Sequence, residues 1–233
     1  MSYMSDAQNF AASSKPDHPH SMGMIFQIAG SSSKVLIDAQ RLGILGQDAD
    51  PCVAMAGQVG SQVKMRVGGC WLIASVRTMA LDQATHSVIA DIDFLGEGDE
   101  ESATGRIHHF RRGVTRYPTP GTDIFPVSSA DMQQIYAADD RANVEIGTVY
   151  PTSETRAALY VDSMLGKHFA LLGSTGTGKS TSAALILHRI CDLSPQGHIV
   201  MIDPHGEYGA AFAQNGAVYD VSNLALPYWL MNF

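Results

Sequence analysis

The sequence predicts two regions of different fold, a small antiparallel β-barrel followed by the start of a parallel α/β domain. The N-terminal part contains many short β-rich segments separated by Gly, Ser, Asp or Pro, which is typical of a barrel or sandwich. Residues 169–202 read as an apolar strand, a glycine-rich loop, a helix and a second apolar strand, which together make one βαβ unit with a right-handed crossover. A chain of 233 residues is long enough for one large or two modest domains.

The segments that predict the barrel are short, and several of them alternate. Val63, Met65 and Val67 face one way, while Lys64 and Arg66 face the other. A closed barrel would leave none of these strands with an open edge. The segments are "GMIFQIAG", "SKVLIDA", "VKMRVGG", "WLIASVRTMAL", "HSVIADIDF", "GRIHHFRRGVTR", "NVEIGTVY" and "AALYVD".

Two segments of this region are predicted to be something other than strand. "GEGDEES", residues 96–102, is acidic and contains glycine, so we expect a loop between strands. In "SSADMQQIYAAD", either Ser128 or Ser129 is placed to cap a short helix.

The expected domain boundaries follow from composition. Residues 1–22 lack the apolar centre of a signal peptide and are predicted to form a disordered tail. Residues 23–161 are assigned to the barrel and residues 162–233 to the second domain, with the boundary near Asp162.

Composition also excludes several classes of protein. The formal net charge of −8 provides no overall attraction to nucleic acid. Cys52, Cys70 and Cys191 are far apart, which fits neither a zinc site nor a disulfide framework and favours a reducing compartment. No stretch approaches the roughly 18 apolar residues of a membrane span, so we expect a cytoplasmic protein without membrane contact.

One basic segment, "RIHHFRRGVTR", allows two interpretations. It contains Arg106, Arg111, Arg112 and Arg116. The segment could contact nucleic acid or a neighbouring subunit. It could equally be a solvated strand whose charges balance the acidic segment before it. The second is favoured, because four arginines on one strand cannot all share one face.

The glycine-rich loop "GSTGTGKST" carries the clearest chemical signal. Its Gly-x-x-x-x-Gly-Lys-Ser pattern is that of a P-loop, the Walker A motif. Glycines allow successive N–H groups to approach phosphate oxygens, and the following helix adds its positive dipole end. Lys179 is assigned to the β- and γ-phosphates, Ser180 to Mg²⁺ and Thr181 to the α-phosphate. The predicted site for ATP and Mg²⁺ is Gly173, Ser174, Thr175, Gly176, Thr177, Gly178, Lys179, Ser180 and Thr181.

The segments around this loop support that assignment. Residues 169–172 and 199–202 are predicted to be buried strands, and the helix "KSTSAALILHRICDL" should end near "SPQG". Its apolar face is predicted to be Ala184, Leu185, Leu187, Ile190 and Cys191. An ordinary glycine turn with a solvated lysine is the alternative, but it does not require Lys-Ser at the start of a helix.

A second candidate site follows the second predicted strand, in "IDPHGEYG". Asp203 and Glu207 should lie at the carboxyl end of that strand, on the same side as the loop. Hydrolysis of a nucleoside triphosphate needs a carboxylate to position or polarise water. The alternative is a turn built on Pro204 and Gly206, with Asp203 capping it.

In this order, "RYPTPGTDIF", "VEIGTV", "HFALLGSTGTGKST" and "VMIDPHGEY" resemble HerA-type ATPases of the HerA/FtsK superfamily. The resemblance extends from about residue 23 to the last residue. It implies a HAS barrel, a RecA-like ATPase domain and a homo-hexameric helicase or translocase on duplex DNA, often with a NurA-type nuclease partner. By the same resemblance, Glu207 is the candidate water-activating carboxylate and Asp203 a supporting one.

The resemblance also implies a longer protein. The family's Walker B strand, arginine finger and DNA-facing loops would lie beyond Phe233, so we expect an N-terminal portion that does not turn over ATP by itself. Two alternatives remain open. One is a β-barrel assembly or docking module with a vestigial nucleotide site, and the other is a conjugation or secretion motor of the same superfamily.

Overall fold

The structure, a computed structural model, describes residues 20–30, 32–83, 87–220 and 222. These residues divide into two compact units. The first runs to Asp139 and includes Gly147–Ala157, and the second comprises Asp140–Ile146 and the residues from Ala158 onward. A disordered tail is predicted for residues 1–22, and residues 1–19 of this segment lie outside the described residues. Ser21 and Met22 are buried, so the packed part of the chain begins before the predicted end of the tail.

The first unit is built around a closed antiparallel barrel of six strands, which confirms the predicted barrel. The barrel order is β2-β1-β7-β3-β4-β5, and pairing between β2 and β5 closes it, while β6 pairs with β5 outside the ring. The strands are β1 (Gly23–Ala29), β2 (Ser32–Asp38), β3 (Gln62–Val67), β4 (Cys70–Asp82), β5 (Ser87–Glu100), β6 (Ile107–Arg112) and β7 (Asp123–Pro126). The helices of this unit are α1 (Ala39–Leu45), α2 (Pro51–Ala54) and α3 (Ser129–Tyr136).

Alternation along the strands fills the barrel, as the sequence predicts. Val63 and Met65 of β3 are fully buried, and Val67 packs against the same cluster. The first part of strand β4, residues 71–74, is buried on both faces. Its residue Leu72 belongs to the barrel core, whereas Trp71 belongs to a second cluster that also contains residues of α3.

Helix α3 is fixed to the barrel by its polar first turn. Ser128 is its N-cap, and Asp131 completes a capping box, which confirms the predicted cap. The Nζ atom of Lys64 lies 2.6 Å from Asp131 Oδ2, in a largely buried ion pair. Asp131 therefore links the start of the helix to strand β3.

The acidic segment 96–102 is not the loop that the sequence predicts, because Gly96–Glu100 form the end of β5. This part of β5 pairs with β4 on one side and with β6 on the other. A Cβ at Gly96 would lie 2.2 Å from the Arg111 carbonyl oxygen, and one at Gly98 would lie 2.6 Å from Ile107 Cγ2. The glycines are thus needed for close strand approach rather than for a turn.

The second part of the chain begins with a two-stranded sheet and continues into helices. Its elements are β8 (Asn143–Thr148), β9 (Arg156–Tyr160), α4 (Val161–Leu165), α5 (Lys179–Leu193) and α6 (Gly209–Phe212). Four residues form the buried centre of the second unit, namely Val144, Val161, Ile186 and Ile190. Among the described residues, no helix is long and apolar enough to cross a membrane.

Helix α5 has the predicted bounds, and its buried face shares Ile190 and the partly buried Leu187 with the predicted one. Ile186 and Ile190 are its buried residues, whereas Leu185 of the predicted face is 38% exposed. The reason is the packing partner: Val144 and Val161 contact the side of the helix that carries Ile186. The spacing of apolar residues alone is compatible with burial of either Leu185 or Ile186.

The two apolar segments predicted as parallel strands, residues 169–172 and 199–202, lie outside the regular strands of the described chain. Exposure nevertheless alternates along the second segment, with Ile199 44%, Val200 90%, Met201 37% and Ile202 89% exposed. A strand is defined by hydrogen bonds to a neighbour, and neither segment pairs with one here. The predicted βαβ unit is therefore represented by its loop and helix alone.

Candidate nucleotide site

The glycine-rich loop, residues 173–178, leads directly into helix α5. Gly176 and Gly178 have φ values of 84° and 87°, in the left-handed region that favours glycine. Gly178 is the N-cap, and among the described residues no side chain caps this helix start. Its first amides are therefore available to an anion, as the sequence predicts for a phosphate.

The interior of the loop is held by hydrogen bonds to the Ser174 carbonyl oxygen. Thr177 Oγ1 donates to it at 2.7 Å, and Lys179 Nζ donates to it at 2.8 Å. Gly173 is needed at its position because a Cβ there would lie 2.5 Å from Thr177 Oγ1. The ammonium group of Lys179 is thus directed toward the backbone of the loop.

Ser180 and Glu207 meet, although they are far apart in the sequence. Ser180 Oγ donates a hydrogen bond to Glu207 Oε2 at 2.5 Å. Ser180 is the residue that the P-loop pattern assigns to Mg²⁺, so the structure places a carboxylate oxygen next to that hydroxyl. Thr175 and Thr181, the outer members of the predicted site, are exposed.

Asp203 holds the loop that carries Glu207. Its two carboxylate oxygens accept hydrogen bonds from the backbone N–H groups of Glu207 at 3.2 Å and Tyr208 at 2.9 Å. The bond from the Tyr208 amide, together with the others of this turn, holds the pKa of the Asp203 carboxyl below its ordinary value. Asp203 therefore fills the turn-forming role that the sequence offered as an alternative.

One contact near the site was not predicted from the sequence. His188 Nε2 lies 2.9 Å from the Ala211 carbonyl oxygen, and the imidazole ring stacks on Phe212. In the sequence, the only indication of this contact is that His188 lies close to the apolar residues Leu187 and Ile190. No motif marks Ala211 or Phe212 as its partner.

The basic segment 106–116 lies in the first unit, on and after β6. Arg111 forms an ion pair with Glu97 at 2.9 Å and lies 3.9 Å from Asp99. Arg116 Nη1 donates to the Gly68 carbonyl oxygen at 2.8 Å, whereas Arg106 and Arg112 are exposed. Pairing of Arg111 with the acidic segment before it is what the solvated-strand interpretation expects.

In the part of the chain that the structure describes, no group of three or more His, Cys, Asp or Glu side chains is arranged to hold a metal ion. Sites in which Mg²⁺ is bound together with phosphate need only one or two protein ligands. Ser180 is the residue that the P-loop pattern assigns to the predicted Mg²⁺, and Glu207 Oε2 lies beside its hydroxyl.

The chain matches a known family over its second part. Residues 144–233 match the family described as "Helicase HerA, central domain". This range contains the glycine-rich loop, helix α5 and the loop of Glu207. The resemblance to HerA-type ATPases is confirmed.

Individual relatives agree with this match. The DNA double-strand break repair helicase HerA of Pyrococcus furiosus is 33% identical over 147 residues, which are 59% of this chain and 25% of that protein. A probable HerA of Methanocaldococcus jannaschii is 30% identical over 124 residues, 52% of this chain and 23% of that protein. HerA of Sulfolobus acidocaldarius is 32% identical over 92 residues, 39% of this chain and 17% of that protein. The match thus spans a quarter or less of the length of these HerA-type relatives.

Proposed function

We propose that this chain carries the ATP site of a HerA-type motor, which couples ATP hydrolysis to translocation on duplex DNA. The observation that carries the proposal is the start of helix α5. There, a glycine-rich loop in left-handed conformation, an uncapped helix start and an inward-directed lysine occur together. An ordinary glycine turn would not need Lys179 and Ser180 at the start of the helix.

The described residues fit a bound nucleotide with Mg²⁺. At Gly176 and Gly178, no described atom lies within 4 Å of the position that a Cβ would take, so the loop is open toward a ligand. The loop amides and Lys179 would hold the phosphates, and Ser180 would hold Mg²⁺. When bound, Mg²⁺ would neutralise charge that develops on the phosphates.

Glu207 is the proposed water-positioning carboxylate. Its contact with Ser180 supports this role, because it places a carboxylate beside the proposed Mg²⁺ ligand. Asp203 supports Glu207 through the backbone of their shared turn rather than through a contact of its own with the phosphates.

The action on DNA rests on the relatives. The three relatives described above are all named as DNA double-strand break repair helicases, two of them plainly and one as probable. A homo-hexameric ring, duplex DNA as the track and a NurA-type nuclease as a partner are the parts of the proposal that come from the family resemblance.

The proposal is tested by ATP hydrolysis in the full-length protein that carries this chain. We expect duplex DNA to stimulate hydrolysis, and we expect Glu207→Gln to abolish hydrolysis while the ATP affinity measured without metal is retained. An exposed carboxylate of the first unit, changed in Glu154→Gln, is the matched control. Hydrolysis that is indifferent to duplex DNA, or that persists in Glu207→Gln, would contradict the proposal.

A further inference from the structure

Helix α5 contacts the segment that carries Glu207 at two separate points. At its first turn, Ser180 Oγ donates to Glu207 Oε2. About two turns further along, His188 Nε2 lies 2.9 Å from the Ala211 carbonyl oxygen. The ring of His188 also stacks on Phe212, with 4.4 Å between the ring centroids and 17° between the ring planes.

The chemistry of the second contact fixes which nitrogen carries the proton. A carbonyl oxygen can only accept, so Nε2 of His188 is the protonated nitrogen and donates the hydrogen bond. Both the neutral Nε2–H tautomer and the imidazolium form supply this donor. The stack adds a contact that depends on the ring and not on its charge.

The second contact reaches Glu207 through a short and continuous piece of backbone. Ala211 and Phe212 belong to α6, where the Phe212 amide donates to the Tyr208 carbonyl oxygen at 3.2 Å. The Tyr208 amide in turn donates to Asp203, as does the amide of Glu207 itself. Holding Ala211 and Phe212 therefore holds the turn on which Glu207 sits.

The two contacts respond differently to a bound nucleotide. The Ser180 hydroxyl would be engaged by Mg²⁺, so its hydrogen bond to Glu207 is not available as a constant support. Among the described residues, the hydrogen bond and the ring stack of His188 are both made with α6 and not with the glycine-rich loop, so a bound nucleotide would not displace them directly. A support that does not change with the ligand is what a carboxylate beside the metal requires.

We infer that His188 is a positioning residue for Glu207, acting through Ala211 and Phe212 of α6. The inference rests on the proposed function, because it concerns the same Mg²⁺–nucleotide site. It predicts that His188 matters for the gain in ATP affinity that Mg²⁺ provides and not for the affinity measured without metal.

The experiment measures the affinity of the chain for a fluorescent ATP analogue, in excess Mg²⁺ and in EDTA. The ratio of the two affinities is the Mg²⁺ gain. We expect His188→Ala to reduce this gain by about threefold to tenfold and to leave the affinity in EDTA unchanged. His188→Gln, which keeps an N–H donor, should retain most of the gain. His198→Ala, at an exposed histidine of the same unit, is the matched control and should change neither affinity.

A double-mutant cycle with Glu207→Gln separates positioning from general damage. If His188 acts through Glu207, then His188→Ala lowers the gain no further in the Glu207→Gln chain. Additive losses, an unchanged gain in His188→Ala, or an equal loss with and without Mg²⁺ would each overturn the inference. If His188→Ala fails to fold by circular dichroism, His188→Phe replaces it, and an unchanged gain in that variant overturns the inference equally.

The proposed function has its own readout in the same assay. Lys179→Ala must weaken binding in EDTA as well as in Mg²⁺, because the lysine acts on the phosphates directly. Loss of affinity in Lys179→Ala combined with no effect in His188→Ala would reject the role of His188 alone. No binding by the unmodified chain would reject the proposed function and the inference with it.

Discussion

Glu97 is the most buried charged residue among the described residues. It is 1% exposed, and its carboxylate accepts hydrogen bonds from the Thr115 backbone N–H, the Thr115 hydroxyl and the Arg111 guanidinium. The Thr115 amide and then Arg111 lower the pKa of Glu97 to about 2, from an ordinary value of 4.5. A buried carboxylate with this many donors stabilises the fold only while it is ionised.

We therefore expect acid to destabilise the first unit through Glu97. Because the pKa is depressed in the folded chain, the stabilisation is complete above pH 4.5 and is lost as the pH falls toward 2. Glu97→Gln should be less stable than the parent at pH 7, and its disadvantage should shrink at pH 3. Urea unfolding at both pH values measures this, with Glu154→Gln as an exposed control. A disadvantage that stays constant between the two pH values would contradict the role of Glu97.

At the scale of the element, strand β5 shows how two glycines let a third strand approach. Its C-terminal part lies between β4 and β6, and the Arg111 carbonyl oxygen occupies the space that a side chain at Gly96 would need. Glycine is required there by contact, since its φ is not in the left-handed region.

Gly96→Ala should consequently loosen the pairing of β5 with β6. A methyl group 2.2 Å from a backbone oxygen forces the strands apart, and we expect a loss of about 1–3 kcal/mol in unfolding free energy. Gly43→Ala in helix α1, where no described atom lies within 4 Å of the added Cβ, is the matched control. That control should be neutral or stabilising by up to about 1 kcal/mol. Chemical denaturation measures the unfolding free energy of both variants and the parent. If Gly96→Ala is as stable as the parent, β6 moves to accommodate the methyl group and the prediction is wrong.

The elements that the sequence predicts well are those whose signal is local. Alternation at Val63 and Met65 and the capping residue Ser128 depend on near neighbours, and the structure confirms both. The strand at Gly96–Glu100 depends on a partner from β6, so glycine and charge alone suggested a loop. The strands predicted at residues 169–172 and 199–202 are not observed, for the converse reason. Apolar composition favours burial, but a strand also needs a hydrogen-bonded neighbour, and among the described residues these segments have none.

At the scale of the whole molecule, the first unit has a core of its own. Its cluster of fully buried residues includes Ile25, Val63 and Leu72, from three different strands of the barrel. The second unit has a separate cluster, built on Val144, Val161, Ile186 and Ile190. Units with separate cores are able to fold separately.

Residues 20–157, which contain the whole described part of the first unit, should therefore fold when expressed alone. We expect a β-type circular dichroism spectrum and one cooperative thermal transition, because the segment contains every strand of the closed barrel. Starting at residue 20 keeps Ser21 and Met22, which are buried in the unit. A spectrum of disordered chain would show that the barrel needs the remainder of the protein.

The sequence predicts members for the candidate site but not their arrangement. The glycine-rich pattern and "DPHGEY" predict Lys179, Ser180, Asp203 and Glu207 as site residues, because each motif is a continuous stretch. The contact of Ser180 with Glu207 spans 27 positions, and that of His188 with Ala211 spans 23. Such contacts depend on how helix α5 and the following loop fold together, which no local pattern records.

The proposed function depends most on the loop that precedes helix α5 being a nucleotide site. Calorimetric titration of the chain with ATP and Mg²⁺ tests this directly, comparing the parent with Lys179→Ala. Lys179 lies outside the hydrophobic cluster of its unit, so the variant should keep its fold, as should the control Lys167→Ala at an exposed lysine. A charge-assisted contact is worth about 1.5–3 kcal/mol, so we predict that Lys179→Ala weakens ATP binding at least about tenfold and that Lys167→Ala does not. Equal ATP affinity in the parent and in Lys179→Ala would contradict the assignment of the site.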